Sequence, residues 1–268
     1  MTQPLEQPPI GILDSGVGGL SVLKEIQKLM PHQDLVYIGD SAWCPYGNKS
    51  PEAIKNRVFA HTNSLLEKGC GMVVIACNSA TICAIEALRA EYMVPFTGME
   101  PAVKPAVKAT KTGVIGILAT EASLAGEKFH HLVNAHSSGV KVITTPCPDF
   151  VKLVESGTLE GSEVTSAIQL YTNQLLAENA DTLVLGCTHY PFLKQVIQQV
   201  VGENVSLIET GPAVAKQTLK LYTEYYGKPQ PTKSEAKLSI FTTGKLSYLE
   251  KIFPLLCPHL EAQLDTIK

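Results

Sequence analysis

At 268 residues the chain suits one large domain or two small ones, and a hydrophobic content of 45% supplies a sizeable core. A net charge of −3 leaves no basic footprint for nucleic acid, and no apolar run approaches the ~20 residues that span a bilayer. Residues 1–9 lack the basic and apolar regions of a signal peptide. The seven cysteines, odd in number and without a Cys-x-x-Cys pair, argue against a disulfide framework and a zinc ribbon, and Cys187-x-His189 alone is too little for a metal site. These features predict a soluble cytoplasmic protein with reduced thiols.

In chain order, Ile10-Gly11-Ile12-Leu13 reads as a strand running into the glycine-rich turn 14–19, followed by a helical pattern from residue 20 to about 30 that Pro31 stops. A strand-to-helix turn of this kind offers backbone N–H groups to an anion. Ser21 stands where a dinucleotide fingerprint needs its third glycine, so a small carboxylate is the better guest. A second strand, residues 35–38, ends at Gly39-Asp40. The loop 41–48 that follows is dense in turn residues; it either makes an ordinary turn or closes over a site. Pro51, a favoured first helical residue, opens a helix to about residue 68. The apolar run 72–76 then reaches Cys77, and a helix through Arg89 leads to Val94-Pro95-Phe96-Thr97-Gly98.

The pattern restarts at residues 113–120, which echo the first strand, and at 140–144, which echo the second. A helix at about 168–178 precedes a second apolar run, 182–186, that ends at Cys187. The copies are offset by about 105–110 residues, the size of one small α/β domain. Late strands are expected at 205–209 and 238–244, the latter returning to the first domain after the polar stretch 228–237. The predicted architecture is α/β with parallel sheets, a first domain of residues 1–98 plus 209–268, a second of 99–208, and a ligand cleft between them.

Both cysteine runs read as buried strands: β-branched and aliphatic residues without polar interruption, then a small residue, a cysteine, and hydroxyl or amide side chains. Ligands of open α/β sheets sit beyond the carboxyl ends of the strands, where Cys77 and Cys187 fall. Cysteine is ordinarily a small buried hydrophobe, and Cys70, Cys83, Cys147 and Cys257 keep that reading. Two thiols on opposite walls suit removal of a Cα proton and its return to the other face. Thiolate is a usable base and thiol a usable acid near neutral pH. Helix N-termini after each strand and a protonated His189 are candidate sources of thiolate stabilisation.

Asp14-Ser15-Gly16-Val17-Gly18-Gly19, Pro45-Tyr46-Gly47, Cys77-Asn78-Ser79-Ala80-Thr81 and Cys187-Thr188-His189-Tyr190-Pro191 closely resemble, in order, the motifs of bacterial glutamate racemases. The resemblance runs from about residue 10 to about 225. It implies two flavodoxin-like domains related by pseudo-two-fold symmetry, and cofactor-independent interconversion of L- and D-glutamate for peptidoglycan synthesis, with no metal. It also implies a homodimer, with neither nucleic acid nor membrane as partner. By motif, Cys77 and Cys187 are the acid/base thiols, with Asp14 and His189 assisting them respectively. Ser15, Pro45, Tyr46, Gly47, Asn78, Ser79 and Thr188, together with Asp14 and His189, hold the substrate. Glu155 lies in a segment resembling one that supplies a further acidic residue near the second thiol. The family often has Phe where this chain has Leu13, and Thr where it has Ser79; Ser79 keeps the hydroxyl.

Residue by residue, Asp14 could instead cap the following helix, His189 could be a packed core histidine, and Glu155 a solvated helix residue. The remaining histidines, His61 among them, have no motif around them and read as surface or packing residues. An aspartate racemase with the same two-thiol plan is the alternative enzyme. A binding protein for a small carboxylate is the alternative of another class.

Overall fold

The computed structural model describes residues 7–229 and 236–267. It divides into two compact units: residues up to Met99 with those from Gly211 onward, and Glu100–Thr210. The expected polar stretch 228–237 falls mostly outside the described residues, as do residues 1–6 of the N-terminal segment.

The first unit is built on strands β1 (Ile10–Asp14), β2 (Leu35–Gly39), β3 (Met72–Ile75) and β4 (Phe96–Gly98). Helices α1 (Leu20–Leu29), α2 (Pro51–Glu67) and α3 (Asn78–Glu91) alternate with them. In the second unit, α4 (Val103–Ala109) leads to β5 (Val114–Ala119), and α5 (Glu121–Ala125) and α6 (Glu127–His136) lead to β6 (Lys141–Pro146). Next come α7 (Pro148–Ser156), α8 (Ser162–Ala177), β7 (Thr182–Leu185), α9 (Lys194–Val201) and β8 (Ser206–Glu209). The chain then adds α10 (Gly211–Tyr226), β9 (Leu238–Thr242), α11 (Leu246–Leu256) and β10 (Gln263–Thr266) to the first unit.

The first sheet has the order β10-β9-β2-β1-β3-β4 and the second β6-β5-β7-β8. Every pairing is parallel. Strands β2-β1-β3-β4 of the first sheet and the four of the second thus share one order, 2-1-3-4 within each copy, and the fold is the two-sheet parallel α/β architecture expected. The register gives the repeat residue by residue. Leu13 pairs with Ile75 as Leu118 pairs with Leu185, and Ala76 N–H donates to Leu13 O as Gly186 N–H donates to Leu118 O. Cys77 and Cys187 therefore follow the same strand position.

The central strands are buried because their sequences are almost wholly apolar, and the one charged residue among them, Asp14, has backbone N–H donors. All residues of β1, β3 and β7 are buried, and burying each Val, Leu or Ile stabilises by about 1.5–3 kcal/mol. Gly11 and Gly116 occupy equivalent places where a helix lies close on the sheet. A Cβ at Gly11 would meet Leu65 of α2 at 3.0 Å, and one at Gly116 would meet Leu175 of α8 at 2.8 Å. Both helices also end alike, with Gly69 and Asn179 in the left-handed region at φ 83° and 61°, a conformation for which Asn is the usual substitute for Gly. The core of the first unit gathers Leu13, Ile38, Tyr46, Val58, Leu65, Ile75, Cys77 and Leu88; that of the second gathers Ile115, Ile117, Phe129 and Val184.

Sequence periodicity located the central strands but set no bounds for α4 to α7 or for the helices from α9 onward, and did not give the edge strand β10. α8 begins at Ser162, well before the expected start near residue 168. None of the described helices is long and apolar enough to cross a membrane.

Gly39 closes β2 against the first turn: a Cβ there would lie 2.5 Å from the Gly16 carbonyl oxygen. Backbone cannot swing aside as a side-chain tip can. Gly39→Ala is expected to destabilise the protein by about 1–3 kcal/mol, measured as a lower urea midpoint; an unchanged midpoint would show that the turn yields freely.

Candidate active site

In the first unit, Asp14 ends β1 fully buried. Its Oδ2 accepts the Gly19 N–H at 2.8 Å and the Gly16 N–H at 3.3 Å, so this carboxylate shapes the glycine turn that opens α1. Across the register, Ser15 lies beside Cys77, whose thiol donates to Ser15 Oγ at 3.8 Å. Cys77 is the N-cap of α3, and its Sγ accepts the Ala80 N–H at 3.5 Å. A sulfur facing a helix N-terminus is placed where an anion is favoured. Asn78 and Ser79 begin the same helix, both buried. Neither amide atom of Asn78 has a protein hydrogen-bond partner among the described residues. Buried amides are rarely left so, which makes Asn78 a candidate ligand-holding group. Thr81 instead serves the fold, donating to Ile75 O and accepting the Met99 N–H.

The loop after β2 brings Pro45, Tyr46 and Gly47 to this unit. Tyr46 is buried in the cluster that also holds Cys77, and its hydroxyl donates to Asp40 Oδ2 at 2.6 Å. Burial and the adjacent Asp40 carboxylate push the Tyr46 phenol well above its ordinary range, so it stays a donor. Asp40, fully buried, also takes a two-pronged bond from Arg57 and one from Thr243, with His61 at 3.3 Å. Burial alone would raise the Asp40 carboxyl; the donors His61, Arg57, Tyr46 and Thr243 outweigh it and hold the group far below the usual carboxylate range. Sequence reading missed Asp40, Arg57, His61 and Thr243 as a group. Its only local signal was an acidic residue directly after a buried strand.

In the second unit, Cys187, Thr188 and His189 follow β7, all buried. The expected helix N-terminus is absent at this cysteine, and the reason is one residue. After Cys77 the first α-helical bond runs from Thr81 N–H to Cys77 O at 2.9 Å. The equivalent donor after Cys187 is Pro191, which has no N–H, so Cys187 O accepts from Tyr190 and the chain makes a 3-10 turn, Tyr190–Leu193, before α9. His189 is the N-cap of that turn, with Nδ1 3.6 Å from Cys187 Sγ and Nε2 2.8 Å from Glu155 Oε1. A carboxylate only accepts, so Nε2 carries the proton toward Glu155 and Nδ1 faces the sulfur. Glu155 is presented by α7, which Phe150 anchors edge-on to Tyr190, with ring centroids 5.1 Å apart. The Tyr190 hydroxyl donates to Cys147 O.

Each unit thus gathers its own share of the expected residues: Asp14, Ser15, Pro45, Tyr46, Gly47, Cys77, Asn78 and Ser79 in the first, and Glu155, Cys187, Thr188 and His189 in the second. Among the other thiols, burial pushes Cys70 and Cys257 up to about 12. Cys147 rises further, from burial and then from nearby Cys187 and Asp149. These are packing cysteines.

A family model described as Asp/Glu/Hydantoin racemase matches residues 10–218. The chain is 43% identical to a glutamate racemase of Herpetosiphon aurantiacus over 248 residues, 92% of this chain and 97% of that one. Among solved structures it is similar to a glutamate racemase isoform of Bacillus anthracis, with a TM-score of 0.87, 31% identity and 97% of both chains covered. It is equally similar to the Escherichia coli glutamate racemase solved with L-glutamate and the activator UDP-MurNAc-ala, with a TM-score of 0.87, 30% identity and 98% of each chain covered. With the duplicated cysteine strands and these matches along nearly its whole length, the chain belongs to the Asp/Glu/hydantoin racemase family.

Proposed function

We propose that the protein interconverts L- and D-glutamate without a cofactor, using Cys77 and Cys187 as the two acid/base thiols. The observation that carries this reading is the pair of equivalent strand-end cysteines, each with its own polar partners: Ser15 and the Ala80 N–H for Cys77, His189 backed by Glu155 for Cys187. Family membership and the named relatives support glutamate as the substrate.

One thiolate takes the Cα proton, and the electron pair left on Cα is spread into the adjoining carboxylate. The other thiol then donates its proton to the opposite face. Cys77 acts as base on D-glutamate and Cys187 on L-glutamate. Asp14 assists at Cys77. At Cys187, His189 Nδ1 accepts the thiol proton, and Glu155 stabilises the resulting imidazolium. Ser15, Pro45, Tyr46, Gly47, Asn78, Ser79 and Thr188 hold the substrate's charged groups, Asn78 through its unpartnered amide. Supply of D-glutamate for peptidoglycan, a homodimeric assembly and a cytoplasmic location belong to the same reading.

Purified protein, dialysed exhaustively against chelator, should bring the circular dichroism of either glutamate enantiomer to zero. It should leave L-aspartate essentially unchanged over the same time. Loss of turnover restored by one added metal would sink the two-thiol mechanism, and faster racemisation of aspartate would reassign the substrate.

A further inference from the structure

The Asp40 carboxylate collects four hydrogen bonds from three side chains that lie in separate places in the fold. Its Oδ1 accepts from Arg57 Nη2 at 2.5 Å and Thr243 Oγ1 at 2.7 Å; its Oδ2 accepts from the Tyr46 hydroxyl at 2.6 Å and Arg57 Nε at 2.8 Å. Thr243 Oγ1 in turn accepts the Ala42 N–H at 3.1 Å, and Trp43 N–H donates to Asp40 O at 2.9 Å. The guanidinium of Arg57 also lies over the Trp43 ring, 5.1 Å from its centroid. The loop 41–47 is therefore tied to Asp40 at Ala42 through Thr243, at Trp43 through the Asp40 backbone carbonyl, and at Tyr46 through the buried carboxylate itself.

The internal repeat separates what the fold needs from what this arrangement adds. Asp40 N–H donates to Asp14 O as Cys147 N–H donates to Ala119 O, both at 3.0 Å, so Asp40 and Cys147 occupy equivalent positions after equivalent strands. In the second unit a buried apolar thiol fills that position. A strand end of this kind thus packs without a charge. The first unit carries a carboxylate with a full set of donors instead, one of them from beyond β9, a strand outside the four-strand repeat. Burying an ion pair is costly unless every group is satisfied; here the satisfied group ends on Tyr46, in the loop that reaches the site.

We propose that Asp40, held by Arg57 and Thr243, is a positioning residue that fixes Tyr46 and with it the substrate-holding loop 45–47. It touches no substrate atom and acts by keeping that loop in the geometry that receives a substrate carboxylate. This inference rests on the reading of the loop as part of a glutamate site. The loop grips the substrate alike in the ground state and in the transition state, so loosening it raises KM more than it lowers kcat.

The experiment measures steady-state racemisation of glutamate by wild type, Asp40→Asn, Tyr46→Phe, Thr243→Val and the Asp40→Asn/Tyr46→Phe double variant, with thermal midpoints for each. KM is expected to rise about tenfold in Asp40→Asn and Tyr46→Phe, with kcat within about threefold of wild type, and the double variant should be no worse than the poorer single one. Thr243→Val, which removes one donor and keeps the shape, should give a smaller rise in KM and carries the test if Asp40→Asn fails to fold. A wild-type enzyme that racemises glutamate, with folded variants whose midpoints fall while KM stays unchanged, would reduce Asp40 to a structural group and overturn the proposal. Fully additive losses in the double variant would overturn it too, because Asp40 would then act by a route other than Tyr46. A wild-type protein inactive on glutamate would defeat the functional reading, and the positioning role with it.

Discussion

Racemisation is expected to fall by at least about a thousandfold, in both directions, when either Cys77 or Cys187 becomes Ser. A hydroxyl in place of the thiol keeps the shape but is a far poorer base. The two directions must fail together: L- and D-glutamate have equal free energy, so kcat/KM for the two directions stays equal in any variant. Which thiol serves which face therefore has to be read from a half-reaction. A glutamate analogue with a leaving group at Cβ needs only proton removal, after which loss of that group completes an elimination. Cys77→Ser should lose elimination mainly from the D-analogue and keep much of it from the L-analogue; Cys187→Ser should show the reverse. Far-ultraviolet circular dichroism on each variant separates chemistry from misfolding. Equal losses for both enantiomers in both folded variants would argue against one thiol per face.

How much of this was legible beforehand follows from where the information resides. β3 and β7 were readable because a strand buried on both faces has to be a continuous apolar run, as Met72–Ile75 and Thr182–Leu185 are. The repeat was readable for the same reason, and the hydrogen bonds of Ala76 and Gly186 place the two cysteines in register. The different endings of the two strands were also present in the sequence, as Thr81 against Pro191, but reading them required asking which N–H the cysteine carbonyl would receive. Helices such as α6 and α11 were missed because their apolar positions are interrupted by polar residues and, in α11, by Pro254. The Asp40 group was invisible for a deeper reason. Its members, Asp40, Tyr46, Arg57 and Thr243, span some two hundred residues, and only the pairing of β2 with β9 brings Thr243 to Asp40. Asp14, read as either catalytic or capping, is seen with one oxygen engaged in shaping the helix start.

The asymmetry between the two thiols leads to the second large effect. His189→Asn is expected to cut racemisation by about a hundredfold or more, within the range for losing a positioned proton-transfer group. In the elimination assay the loss should be confined to the L-analogue, because His189 contacts Cys187. On the mechanism proposed above, Glu155 acts through His189: its Oε1 accepts the Nε2–H hydrogen bond at 2.8 Å and so leaves Nδ1 turned to the sulfur. Glu155→Gln keeps an acceptor oxygen but not the charge that stabilises an imidazolium, so a loss of about tenfold is expected, again on the L-analogue alone. Glu155→Ala frees the ring to adopt the other tautomer and should cost more than Glu155→Gln. The decisive comparison is the double variant. Once His189 is Asn there is no imidazole left to orient, and Glu155→Ala added to His189→Asn should cost little beyond the single change. An additive loss would mean that Glu155 acts on substrate or sulfur by a route of its own, and equal losses for both enantiomers would detach the pair from Cys187.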